Sequence, residues 1–143
     1  MANSQFAMAV HVLTMLADNC DERVKSSYLA KSVNTNAVVI RRLLCDLHEA
    51  GLVISRTGYS GGTCLTKDPN DINLLELYRA VSHGEVFSLH RQKPDQNCPV
   101  GKNIESVLCN LQKEIDSAIE ERLGSYTLSD IISMVRKGNE VFA

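Results

Sequence analysis

Residues 26–65 read SSYLAKSVNTNAVVIRRLLCDLHEAGLVISRTGYSGGTCL, and the fold is decided there. Ser26 and Ser27 offer hydroxyl oxygens to the free amides of a helix start. Tyr28, Leu29, Ala30 and Val33 then recur at helical spacing, which predicts a short helix ending near Val33. Asn34-Thr35-Asn36 has turn composition, because short polar side chains bond local backbone, and it can also cap the next helix. A second helix follows to about Ala50. On a 3.6-residue wheel Ile40, Leu43, Leu44, Leu47 and Gly51 share one face, while Val38, Arg41, Arg42, Cys45 and Glu49 lie on or near the opposite one. One face packs and the other is free. Gly51 closes the helix, since an achiral residue tolerates the left-handed conformation. Leu52 to Arg56 has strand composition, Thr57 to Gly61 turn composition, and Gly62 to Thr66 can run back, so a small hairpin completes the stretch.

Short helix, turn, longer basic helix and hairpin, in that order, predict a mainly α fold with a β-hairpin wing, a winged helix-turn-helix. The alternative is an ordinary helical hairpin beside a β-turn, with Arg41 and Arg42 only solvating the outer face. Cap, turn, helix and hairpin agree in order and length, which favours the winged fold.

Charge points the same way. Residues 1–22 hold no Lys or Arg and three acids, residues 23–67 seven against two, and residues 68–143 eight against twelve. A net charge of −2 therefore conceals a basic module, which is what phosphate binding needs. At 143 residues and 44% hydrophobic, the chain suits one core with an appended element. No apolar run approaches a membrane span and the first residues lack the pattern of a signal peptide, so the expectation is a cytoplasmic, nucleoid-associated protein. Five cysteines at uneven spacing do not form a disulfide framework and are expected to be reduced.

Before the decisive stretch, Ser4 can cap a first helix in which Phe6, Ala9, Val10, Leu13, Leu16 and Ala17 recur at helical intervals. His11 on that helix reads as a half-buried packing residue, since no second metal-type residue lies one turn away. Cys20, in an acidic loop, is not a sensor candidate. After the hairpin, Ile72 to Ser82 is a helix with Leu74, Leu75, Leu77, Tyr78 and Val81 as its stripe, expected to buttress the wing. Residues 83–101, with Gly84, Pro94, Pro99 and Gly101 and no periodicity, read as a long loop. From Asn103 to about Leu123 apolar positions return at alternating spacings of three and four.

A helix of some 20 residues, about 30 Å long, continues past what one small core can cover. Its natural partner is a second copy of itself, with Ile104, Leu108, Leu111 and Ile115 at the contact. The alternative is a long core helix folded back on its own domain. Thr127 caps a last helix, Leu128 to Arg136, whose Ile131, Ile132 and Val135 would cover the long helix or the first one. Three regions follow: a winged domain at 1–82, a loop at 83–101, and the dimerisation helix with the last helix at 102–143.

In a winged helix-turn-helix, Thr35, Asn36, Val38, Val39 and Arg42 lie on the first turns and outer face of the second helix, where base edges are reached. Arg41, Arg56 and Lys67 would meet phosphate. The partners implied are a pseudo-palindromic duplex and a second subunit, with no membrane. A competing reading is an adaptor that uses the same fold to hold an enzyme or another regulator. An enzyme finds no support in the sequence, which lacks a nucleophile–base pair, a nucleotide loop and a metal motif.

These residues together resemble the Rrf-two family of bacterial regulators, which includes the iron–sulfur regulator IscR, the nitric-oxide sensor NsrR and the cysteine-metabolism repressor CymR. The carriers are Leu29-Ala30-Lys31-Ser32-Val33 through Arg41-Arg42-Leu43-Leu44, the Ala50-Gly51-Leu52-Val53 step, the Gly-rich wing, Ile72 to Val81, and Cys98-Pro99-Val100-Gly101 before the long helix. The resemblance implies a homodimeric repressor that senses its effector in the loop before the dimer helix. Cluster-binding members carry three cysteines in that loop; this chain has Cys98, and the next, Cys109, falls inside the helix. A cluster takes four thiolates or close substitutes, so the expectation is a member with no cofactor and no iron–sulfur cluster.

Cys98 remains, just before a helix start and close in sequence to Arg91, Lys93 and Lys102, a setting that favours thiolate and a redox- or electrophile-sensing role. The alternative is a small residue filling space at the helix entry. Cys45, on the reading face beside Arg42, is the rival sensor. His83 and His90 share the loop, but their spacing to Cys98 matches no compact zinc motif, so no metal site is expected.

Overall fold

The computed structural model describes residues 4–19, 22–82 and 86–138. Along it run α1 (Gln5–Asp18), α2 (Ser26–Val33), α3 (Ala37–Glu49), β1 (Val53–Arg56), β2 (Gly62–Leu65), a 3-10 turn (Pro69–Asp71), α4 (Leu74–Val81), α5 (Pro99–Gly124) and α6 (Leu128–Lys137). This is the mainly helical, winged architecture expected.

One core joins these elements. Ala9, Val12, Leu13 and Leu16 of α1, Leu29 of α2, Ile40, Leu43, Leu44 and Leu47 of α3, Leu52 and Val53, Leu77 and Val81 of α4, and Leu128 and Ile132 of α6 are all buried. Within α1, α3, α4 and α6 these residues stand three or four apart, the condition for an amphipathic helix to lay a stripe on a common core.

The helix-turn-helix is closed by backbone geometry at both ends of α3. Asn34 takes the left-handed conformation at φ 66° and lets the Thr35 amide reach the Ala30 carbonyl at 3.0 Å. Past the other end, Gly51 sits at φ 77°; its amide bonds the His48 carbonyl at 2.9 Å and the Leu52 amide bonds the Leu47 carbonyl at 3.0 Å. This Schellman closure turns the chain straight into β1.

The strands pair antiparallel with Val53 opposite Leu65 and Arg56 opposite Gly62. Val24 adds a single rung on the far side of β2, exchanging bonds of 2.9 and 2.8 Å with Thr63. Inside the hairpin the buried Thr63 hydroxyl is satisfied by Ser55 Oγ at 2.7 Å.

Several local expectations are corrected. Ser4 stands at the cap of α1 but makes no capping bond, and Lys25, not Ser26 or Ser27, is the N-cap of α2; the two serines are its first helical residues. His11 is exposed rather than half-buried, its Nε2 2.9 Å from Ser32 Oγ. The helix expected from Ile72 starts at Leu74, because Ile72 and Asn73 are extended. The Leu128 amide donates to the Ile72 carbonyl at 2.8 Å and the Leu74 amide to the Tyr126 carbonyl at 3.0 Å. That helix packs chiefly on α1, α3 and α5 rather than buttressing the wing.

The long helix begins at Pro99, inside the stretch read as loop. Proline at the first helical position starts a helix as readily as it ends one. Thr127 caps α6 as expected, in a capping box with Asp130. Ile132 is buried there, while Val135 is exposed and covers nothing.

Candidate nucleic-acid interface

The turn before α3 already fixes how its first residues face solvent. Asn36 Oδ1 accepts the Val39 amide at 3.0 Å, which caps the helix and leaves the side-chain N–H donors for another acceptor. Val38 is exposed and Thr35 and Val39 are half-buried, and Arg41, Arg42 and Cys45 stand on the open face. The opposite face is sealed by Ile40, Leu43, Leu44 and Leu47. Burial of one stripe therefore leaves the polar stripe no alternative but water or a ligand.

Between α3 and the wing runs a groove of about 690 Å³, lined by Arg41, Cys45, His48 and Glu49 of α3, by Arg56 and Thr57 of the wing, and by Lys25. Three cationic side chains against one acid give the groove a positive balance suited to a polyanion. Arg41 and Arg56, assigned to phosphate from sequence, thus meet in one place, while Arg42 is exposed and does not line the groove. Lys67 is placed differently: its Nζ is 2.7 Å from Glu76 Oε1, both side chains half-buried, so its charge is largely spent on holding the post-wing turn to α4.

Two residues of this surface were missed in the sequence. Lys25 Nζ donates to the Gly58 and Tyr59 carbonyls at 2.8 and 2.9 Å, so it belongs to the wing although it lies more than 30 residues before the tip. Tyr59 at that tip is fully exposed. Nothing local marks Lys25, because its partners are long-range backbone atoms. Tyr59 could have been singled out as an aromatic residue in a Gly/Ser turn.

The cysteines do not gather. Cys45 and Cys98 are exposed and Cys64 and Cys109 half-buried, all free. Cys98 is the N-cap of α5, which agrees with its expected place at a helix entry. Cys109 lies eleven residues on, about 16 Å along the axis at 1.5 Å per residue. Among the described residues no three His, Cys, Asp or Glu side chains converge to hold a metal ion. Cys20 and His83 lie outside the described residues.

Of the residues expected at a dimer contact, Ile104, Leu108 and Ile115 are half-buried and Leu111 exposed, on a helix whose only fully buried side chain is Gln112. No helix among the described residues is long and apolar enough to cross a membrane.

Comparison with known proteins places this architecture. Residues 2–134 match the family model described as Rrf2, iron-dependent transcriptional regulator. YwnA of Bacillus subtilis, provisionally named an HTH-type transcriptional regulator, is 42% identical over 93% of this chain and 98% of its own. A crystal structure provisionally described as that of a DNA-binding protein is 40% identical, with a TM-score of 0.73 over 90% of this chain and 99% of the other. A transcriptional regulator from Lactobacillus plantarum, also provisionally named, superposes with a TM-score of 0.83 at 28% identity, over 95% of this chain and 92% of its own. Two of these proteins are named as transcriptional regulators and the third as a DNA-binding protein. Among the described residues the iron in the family's description finds no fitting ligand set, since Cys98 and Cys109 stand three helical turns apart and no third His, Cys, Asp or Glu side chain converges with them. With the family model covering nearly its whole length, the chain belongs to the Rrf2 family of transcriptional regulators.

Proposed function

We propose that the protein is a homodimeric, sequence-specific DNA-binding repressor that works without an iron–sulfur cluster. The observation that carries this reading is the open face of α3, with Val38, Arg41 and Arg42 exposed beside a cationic groove shared with Arg56 of the wing. An α-helix fits the major groove of B-DNA. Arginine on its outer face can read guanine through two parallel hydrogen bonds, and cations on its flank neutralise phosphate. Asn36, Val38, Val39 and Arg42 take the base edges, with Thr35 at the helix entry; Arg41 and Arg56 take the backbone. Two such helices, about 34 Å apart on one face of the duplex, would match a pseudo-palindromic operator.

The switch is assigned to thiol chemistry, with Cys98 as the sensing residue at the start of the dimer helix. Its exposure at the N-cap of α5 supports this, since an oxidant can reach it and a change there bears on the helix that sets the spacing of the two subunits.

Selection of bound fragments from genomic DNA, with and without hydrogen peroxide, tests both halves. Enrichment of a two-fold symmetric motif that disappears with oxidant is the expected outcome. Enrichment of nothing, with a protein partner held independently of salt, would replace the repressor by an adaptor, because phosphate contacts weaken steeply as salt rises.

A further inference from the structure

The turn at the tip of the wing is held by a side chain from outside the hairpin. Lys25 Nζ donates to Gly58 O at 2.8 Å and to Tyr59 O at 2.9 Å, while Gly58 O also accepts the Gly61 amide at 3.1 Å. Both lone pairs of that carbonyl are taken. The base of Lys25 is equally fixed. Its neighbour Val24 is bridged to Thr63, and Gly62 comes so close that a Cβ there would lie 2.9 Å from the Arg23 carbonyl carbon and the Val24 oxygen. Lys25 is also the N-cap of α2 and lines the groove that faces α3. One residue thus connects the helix-turn-helix, the wing tip and the groove.

An exposed lysine bonded to carbonyls adds little to folding stability, so its consequence lies in placement and charge. Without the ammonium, two carbonyl dipoles at the tip would present their negative ends beside a surface that must accept phosphate. With it, that edge is positive. Tyr59, carried on the same turn, is fully exposed. Its ring is a flat apolar face that can lie on deoxyribose, and its hydroxyl is a donor for phosphate oxygen.

We propose that Lys25 is a positioning residue for DNA binding, fixing the wing tip so that Tyr59 meets the sugar–phosphate edge of the minor groove beside the major groove entered by α3. This rests on the DNA-binding reading above. The helix alone would then set the base sequence, and the tip would set how firmly the duplex is seated.

A double-mutant cycle on the selected operator duplex, read by fluorescence anisotropy, tests it. K25M and Y59A should each weaken binding by about five- to tenfold, as loss of one polar contact does. K25M/Y59A should fall well short of the product of the two losses, because Lys25 acts chiefly through the tip that carries Tyr59, and K25R, which keeps donors and charge, should stay near the parent. Additive losses would overturn the proposal by making Lys25 a phosphate contact in its own right, and so would parent-like binding by Y59A. Unfolding midpoints report the fold, and Y59A remains decisive if K25M is destabilised. A parent protein that binds no duplex would instead sink the DNA-binding reading itself.

Discussion

Arg42 and Lys67 carry the same charge and differ in what it is free to do. Lys67 is paired with Glu76, whereas no acidic side chain among the described residues engages Arg42 on the open face of α3. A free guanidinium on the outer face of a capped helix can satisfy its donors on guanine O6 and N7, geometry a phosphate contact does not need. Arg42→Ala is therefore expected to weaken specific binding by about 1–3 kcal/mol and to relax base preference at one operator position. Arg56→Ala should lower affinity alike on every sequence and flatten the salt dependence. A base-specificity profile unchanged by Arg42→Ala would move the reading face elsewhere. The thiols divide in the same way. Cys98→Ser should keep DNA binding and lose its sensitivity to peroxide, while Cys45→Ser should keep both. Oxidant titration of operator binding separates them, and a parent-like response from Cys98→Ser would mark that thiol as structural.

At the level of elements, the join between α3 and β1 has no slack, because the closing bonds of the helix are made by Gly51 and Leu52, the two residues immediately before β1. Gly51 holds φ 77° with open space around its missing Cβ, so a side chain there costs backbone strain and not a clash. Gly51→Ala should lower the unfolding free energy by about 1–2 kcal/mol, the left-handed penalty, and Gly51→Asn by less. Thermal denaturation of the two variants checks the order. This join, the Asn36 cap and the Thr127 cap were legible because each is written in adjacent residues and local hydrogen bonds. What the sequence did not disclose depends on distant backbone. The bridge that pulls Ile72 and Asn73 out of α4 is made with Tyr126 and Leu128, and the Lys25 clamp is made with the wing tip. Pro99 misled for a different reason, since its fixed φ suits a helix start as well as a loop and only tertiary context chooses. The apolar stripe of α3 could be read directly, but which side chain would find a partner could not, as Lys67 and His11 both show.

The molecule as a whole is asymmetric along α5. Its C-terminal end is fastened to the body: Asn73 Nδ2 donates to the Gly124 carbonyl at 2.8 Å and Arg79 lies 3.1 Å from Glu120. Midway along it, Gln112 Nε2 donates to the Phe87 carbonyl at 2.8 Å. Val100 and Val107 are 68% and 58% exposed and Leu111 is 44% exposed, an apolar edge that a single subunit leaves to water. It runs on into an apolar cleft of about 490 Å³ where Ile115, Ala118 and Ile119 face Phe6 and Tyr78. Exposed stripes of this kind on a long helix are what a second helix covers in a two-fold dimer. The substitution that tests this must sit on the stripe without damaging its own subunit. Ile115→Glu fails that condition, since it would place a charge in the cleft beside Phe6 and Tyr78. Leu111→Glu meets it, the side chain being already part-solvated. Sedimentation should show monomers for Leu111→Glu with an unfolding transition near the parent's, and operator affinity should fall by about a hundredfold or more, because two linked half-site contacts become two independent ones. Intact Leu111→Glu dimers that still bind the operator would move the subunit contact off this face, and the spacing of the two recognition helices would then have to be set by a different part of the chain.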